Sequence, residues 1–200
     1  MTFLPIIETL QGDITGYIQT NLISITDGQI YISSGLFREG FKPAIDLGLS
    51  VSRIGSKVQY PGVKEVGQGL RLEYAQYREM LRLTKLRTRL SAEATEKMRR
   101  GEVLRDLFVQ AHNRPVSAEE EILLFYAFRR KILEMLSPTA VKMFIERFFE
   151  HVSTQEAAFF ARLKEKKELT PEIKTELDQI LVKFFRLIKE QEEMQAKGLR

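Results

Sequence analysis

Cysteine and tryptophan are absent from the 200 residues, and histidine occurs only as His112 and His151. Without a thiol there is no disulfide framework and no thiolate nucleophile. The two histidines have no second ligand at metal-binding spacing, so a zinc site and a Cys/His nucleophile are both excluded. Long apolar runs are missing as well. The longest, ILLFYAF at 122–128, is far short of the roughly 20 residues that a membrane-spanning helix needs. The opening MTFLPIIETL lacks the basic start and small-residue cleavage site of a secretory leader and the Arg-rich amphipathic character of a transit peptide. Finally, no Gly-Lys pair occurs anywhere, so the loop G-x-x-x-x-G-K-[ST] that cradles phosphates is absent. No apolar strand ends in an acidic pair suited to magnesium either. These residues cannot run nucleotide chemistry alone.

What is present is an ordinary globular composition, with 44% apolar and 29% charged residues, enough to build a core at this length. The net charge of +4 is unevenly placed. Between Arg82 and Arg114 nine Lys/Arg stand against four Asp/Glu, so that window alone carries +5. A nucleic-acid surface would interleave aromatic residues for base stacking, and this window does not. It reads as the solvated face of helices, and no nucleic-acid partner is expected.

Periodicity changes near residue 61, from strands and turns over 1–60 to a helical pattern from Gly62 onward. The first part reads as strands and turns: LPIIET, NLISIT and QIYIS are short β-branched runs separated by QGD, TDG and SSG, with almost no helix signalled. NLISIT, nearly continuously apolar, suits a strand buried on both faces of a parallel sheet. Such a sheet needs crossover helices that this segment is too short to supply. The expected fold is therefore α+β: terminal strands of an incomplete P-loop-type α/β sheet, completed by another chain, followed by an all-α bundle. In the bundle, GVKEVGQGLRLEYAQYREMLRL at 62–83 is a first helix loosened by Gly67 and Gly69. Residues 91–110 open at Ser91, and Gly101 is expected to divide them into two short helices. Ser117 and Ser137 stand as N-caps, with Pro138 at a first helical position, and the helix after Ser117 runs to about Leu136. A last helix begins at Thr170-Pro171, with Ile173, Leu177, Ile180, Leu181, Phe184 and Ile188 on one face. Its tail, KEQEEMQAKGLR, is expected to fray.

One charge stands out. Within LGLSVSRIGS at 47–56, Arg53 is the lone ionised group. A guanidinium has five donors and a charge it cannot shed, so it requires an anion. Asp46 and Asp27 are the nearby carboxylates. The segments NLISITDGQIY at 21–31 and GLSVSRIG at 48–55 place small or hydroxyl residues at strand ends, where open α/β sheets hold ligands. The stretch from LPIIETLQGDITGYIQT through SVSRIGSKVQ, continued by GLRLEYAQYREM at 69–80, strongly resembles the alpha subunit of the rotary F-type ATP synthase. The resemblance covers nearly the whole chain, dense to about Glu79 and thinner through the helices.

The resemblance implies the C-terminal piece of a split alpha subunit: the end of its nucleotide-binding domain at 1–68, then its helical C-terminal domain at 69–200. It implies a catalytic head of alternating alpha and beta subunits that makes ATP using proton-driven rotation. Arg53 becomes an arginine finger acting in trans on the beta subunit's site, with Ser24 as a polar contact and Val51 as wall. Lys42, Pro43, Gln110 and His112 match the adenine pocket of the alpha subunit's own noncatalytic site. His112 replaces a glutamine there, and an imidazole cannot offer an amide's paired donor and acceptor. Not catalytic by itself, the chain would meet ATP or ADP with Mg2+ only in the assembly. Its implied partners are an N-terminal alpha chain carrying the P-loop, beta subunits, the central stalk gamma subunit and the peripheral stalk. The implied location is the matrix side of the mitochondrial inner membrane, with the chloroplast thylakoid or the bacterial inner membrane as alternatives. At 86–91, LRTRLS stands where the family often has FGSDLD facing the central stalk. That reversal, with His112, leaves open a second reading as a degenerate alpha-like assembly or regulatory factor.

Overall fold

In the computed structural model, which describes residues 3–85 and 91–198, the chain forms two units, Met1–Val58 and Gln59–Arg200. The first contains helix α1 (Tyr17–Ile25), strand β1 (Gly28–Gln29), helix α2 (Ser34–Arg38), strand β2 (Val51–Ser52) and the short helix α3 (Gly55–Val58). β1 and β2 pair antiparallel, with Gly28 opposite Ser52 and Gln29 opposite Val51. A single further bridge joins Ile32 to Ile45. Leu36, Phe41 and Ala44 are buried here, around an α2 capped by the Ser33 side chain, which accepts from the Leu36 N–H.

The α+β class holds, but the strands are placed differently from the sequence reading. LPIIET forms no strand, and its Ile6 is 98% exposed. An extended run becomes a strand only when a neighbouring strand satisfies its backbone groups, and among the described residues no strand pairs with this one, although Gln19 Nε2 donates to the Glu8 carbonyl at 3.1 Å. NLISIT is not a strand but most of α1. Short apolar runs cannot be assigned by periodicity alone. In α1 the half-buried positions Gln19, Leu22, Ile23 and Thr26 follow helical spacing. The hydroxyls of Thr20, Ser24 and Thr26 bond the carbonyls of Gly16, Thr20 and Leu22 one turn back, so β-branched and hydroxyl residues satisfy themselves within a helix. QIYIS contributes only Gln29 to the ladder, which is antiparallel rather than parallel.

The second unit is a bundle of α4 (Pro61–Gly67), α5 (Leu70–Lys85), α6 (Ala92–Phe108), α7 (Ala118–Arg129), α8 (Pro138–Gln155), α9 (Ala157–Lys166) and α10 (Pro171–Gly198). The expected first helix is two helices, because Gly69 adopts φ +78 between α4 and α5. Gly101 does the reverse of what was expected. It leaves α6 continuous, and a Cβ there would lie 2.2 Å from the Tyr77 ring, so its role is to let α5 approach α6. α7 stops at Arg129, where Lys131 turns left-handed at φ 59, and a separate 3-10 turn follows at Leu133–Met135. Ser91, Ser117 and Ser137 cap α6, α7 and α8 by accepting from the N–H three residues on. α10 continues to Gly198 through the segment expected to fray, held by Glu192, which accepts from the Ser137 N–H.

The core is continuous, with Leu104, Ile122, Leu123, Phe128, Phe144, Phe148, Leu163, Leu177 and Leu181 fully buried. Each such side chain contributes about 1.5–3 kcal/mol. The expected face of α10, from Ile173 to Ile188, is buried throughout. Arg100 crosses this core under the Phe128 ring, 4.1 Å from its centroid. Its Nε donates to Glu73 at 2.8 Å and its Nη1 to Glu134. Burial opposes the Arg100 charge, but the bonds it donates to Glu73 and Glu134 outweigh that and raise the pKa. α7 and α10 are joined by Asp178, which accepts from the Tyr126 hydroxyl at 3.0 Å and from Arg130 Nε at 2.6 Å. Burial, then the Asp178 bond, push Tyr126 up to about 12.

Candidate functional site

Arg53 follows β2 directly, and two backbone features fix where its side chain starts. Its own N–H donates to the Asp27 carbonyl at 2.9 Å, extending the contact between the two strands. Opposite Ser52, Gly28 adopts φ 151, and a Cβ there would lie 2.2 Å from the Val51 carbonyl. Only glycine permits that approach. After Arg53 the chain turns sharply, with the Gly55 N–H donating to Ser52 Oγ at 2.9 Å. The residue therefore projects from a fixed corner between a strand and α3.

The guanidinium lies at the C-terminal end of α1. Nη2 donates to the Ile23 carbonyl at 3.2 Å and Nη1 to the Ser24 carbonyl at 3.5 Å. A helix's last carbonyls carry partial negative charge, and an exposed cation beside them gains about 0.3–1 kcal/mol. Neither carboxylate considered from the sequence takes this role. Asp27 contributes its backbone carbonyl, and Asp46 accepts from the N–H groups of Gly48 and Leu49. Arg53 is exposed, and two bonds engage two of its five donors. Three donors are left over on an exposed side chain.

Of the residues singled out in the sequence, the structure brings Arg53 and Ser24 into contact, and Val51, in β2, precedes Arg53 by two residues. Ser24 meets the guanidinium through its carbonyl, while its hydroxyl donates to Thr20 O at 2.8 Å. Val51 lies in the ladder opposite Gln29 and is 42% exposed. Lys42 and Pro43, joined by a cis peptide bond, belong to a different loop of the same unit, where Lys42 Nζ sits 4.9 Å from the Phe37 ring centroid. Gln110 and His112 belong to the second unit, both exposed in the connection between α6 and α7. Residues 86–90 of the basic LRTRLS segment lie outside the described residues. Among the described residues no three His, Asp or Glu side chains converge as a metal-binding group, and no helix is long and apolar enough to cross a membrane.

Sequence reasoning missed the Ile23 and Ser24 carbonyls, because backbone acceptors leave no compositional trace. It also missed Gly28, whose signal was present in the Asp-Gly pair of SITDGQ.

Comparison with known proteins gives the chain's family. Residues 59–184 match the family model described as the ATP synthase alpha/beta chain, C terminal domain. Residues 1–52 match that of the ATP synthase alpha/beta family, nucleotide-binding domain. Similar curated proteins include ATP synthase subunit alpha of Clostridium botulinum strain Eklund 17B, 39% identical over 184 residues. That alignment covers 92% of this chain and 36% of the relative. The protein of the same name from Petrotoga mobilis is 36% identical over 189 residues, covering 94% of this chain and 38% of its own length. The chain thus spans little more than a third of the length of these relatives.

Proposed function

This chain belongs to the ATP synthase alpha/beta family, and from that membership we propose that it forms the C-terminal part of an alpha-type subunit in the catalytic head of a rotary F-type ATP synthase. Residues 1–58 close its nucleotide-binding domain and 59–200 form its helical domain. The P-loop and the magnesium ligands come from polypeptide outside these 200 residues, as an N-terminal alpha segment and beta subunits. ATP and ADP with Mg2+ are substrates of that assembly, and its helical domain faces the central stalk. The reported relatives are bacterial, which favours peripheral attachment to a bacterial inner membrane. Expectations of a mitochondrial or thylakoid location find no support among them.

The observation that carries the reading is the pose of Arg53: an exposed guanidinium at a fixed corner, steadied by two carbonyls and with donors to spare. In the assembly it reaches into a beta subunit's site and meets the transferring γ-phosphoryl group. Charge there spreads over three equatorial oxygens, which a planar, permanently charged fork matches and a lysine ammonium does not. Arginine fingers accelerate phosphoryl transfer by roughly 10³–10⁵, or about 4–7 kcal/mol of transition-state stabilisation. Ser24 holds the guanidinium through its carbonyl, and Val51 walls the same corner. By the family match, Lys42 and Pro43 of the first unit and, separately, Gln110 and His112 of the second are candidates for contact with the noncatalytic nucleotide.

Native mass spectrometry of the complex captured on this chain tests the assignment. A P-loop polypeptide and beta subunits at equal stoichiometry support it. Capture of the chain alone, or with unrelated proteins only, overturns it in favour of an alpha-like fold put to another use.

A further inference from the structure

The second unit contains a cavity of about 230 Å³ beneath the connection between α6 and α7. Its apolar walls come from Leu107 and Phe108 of α6, Leu124 and Phe125 of α7, and Ile145 of α8. The two phenylalanine rings stand 5.8 Å apart. Three ionisable groups line the same space: Arg114, Glu120 and Glu121. Arg114 Nη2 donates to Glu120 Oε1 at 3.0 Å, so that pair is internally neutral. Among the described residues Glu121 has no side-chain partner, although it is partly buried. One negative charge is left unbalanced against apolar walls. Burial, followed by the adjacent Glu120, raises the Glu121 carboxyl above its ordinary range, as expected for a carboxylate lacking a counter-cation.

We propose that this cavity binds a small organic monocation with a compact apolar or aromatic body, such as an amidinium or ammonium, whose N–H groups are received by Glu121. Volume, walls and charge each narrow the class. A cavity of about 150 Å³ accepts a benzene ring, so this one has room for a ring and a charged substituent. The faces of Phe108 and Phe125 add a cation–π attraction. An anionic group would meet the unbalanced charge and be repelled. A bare divalent ion would find one uncommitted carboxylate where it needs six or more oxygens. This site uses none of the Arg53 contacts, since it lies within the helical unit, although Gln110, matched above to the noncatalytic adenine pocket, also lines it.

The test titrates benzamidinium and its neutral isostere benzamide into the 200-residue chain, with amide chemical shifts of residues 107–125 as the readout. Benzamidinium is expected to shift these amides and to bind at least tenfold more tightly than benzamide. Glu121→Gln is expected to erase that preference, while a thermal melt shows the variant folded. Equal affinities for the two compounds would overturn the proposal. So would an unchanged preference in Glu121→Gln, shifts confined to other residues, or no binding up to about 10 mM.

Discussion

The two units handle apolar surface in opposite ways. In Met1–Val58 the described buried residues are Leu36, Phe41 and Ala44, while Phe3, Leu4, Ile6, Tyr17, Ile18, Ile25 and Ile30 are exposed. In the helical unit nearly every large apolar residue from Ile122 to Ile188 on the inward faces is buried. A unit that buries so little cannot offset the conformational entropy of its own ordering, about 1–2 kcal/mol for each residue's backbone. The helical unit carries its own core and the first does not. A missing remainder of a sheet would leave that imbalance.

The largest expected contrast lies in hydrogen exchange of the 200-residue chain. Amides of α1 should exchange roughly a thousandfold or more faster than those at 122–128, because opening free energies run from near zero to the global stability. Equal protection would erase the distinction between the units. Next comes Arg100→Ala, which strands the Glu134 carboxylate inside the bundle and leaves Glu73 only Arg129, 3.9 Å away. The site keeps some solvent, so the loss should be about 2–4 kcal/mol in urea unfolding of the bundle, leaving the exchange of α1 unaltered. Gly101→Ala forces a methyl into the Tyr77 ring and should cost about 1–3 kcal/mol through overpacking. Were Gly101 a helix break instead, alanine would stabilise.

The smallest effect is electrostatic. Glu121 titrates above the ordinary 4.5 of a glutamate in the folded chain because burial disfavours its charge. A carboxyl with a raised folded pKa binds its proton more tightly when folded, so stability falls as pH rises from 4.5 through that value. Glu121→Gln should therefore raise the melting temperature slightly at pH 7, and the gain should vanish below about pH 4.5. A gain that persisted in acid would mean that packing, not charge, is responsible. Asp178 is opposite in sign: its bond from Arg130 lowers the carboxyl, so its contribution is lost as pH falls below 3.8.

How much was legible follows the same division. The helical unit could be read from local chemistry, because Ser91, Ser117, Ser137 and Thr170-Pro171 mark helix starts that require no distant partner. The face from Ile173 to Ile188 repeats at helical spacing. Gly101 misled because a glycine that breaks a helix and one that admits a neighbour look alike until Tyr77 is placed against it. The first unit was read poorly for a physical reason. NLISIT has strand composition, and its helix depends on hydroxyls bonding back to carbonyls and on half-burial against its own unit. Arg53 was legible as an arginine in need of an anion. Its resting acceptors were not, since carbonyls of Ile23 and Ser24 are shared by every residue type.

The most direct measurement of the central claim is ATP turnover by the assembled head carrying Arg53→Ala and, separately, Arg53→Lys, with assembly checked by native mass spectrometry. An arginine finger predicts that both variants assemble and that turnover falls by roughly 10³–10⁵ in Arg53→Ala, with lysine giving little rescue. Turnover within a few-fold of the unsubstituted complex would contradict the account and leave Arg53 as a cap on α1.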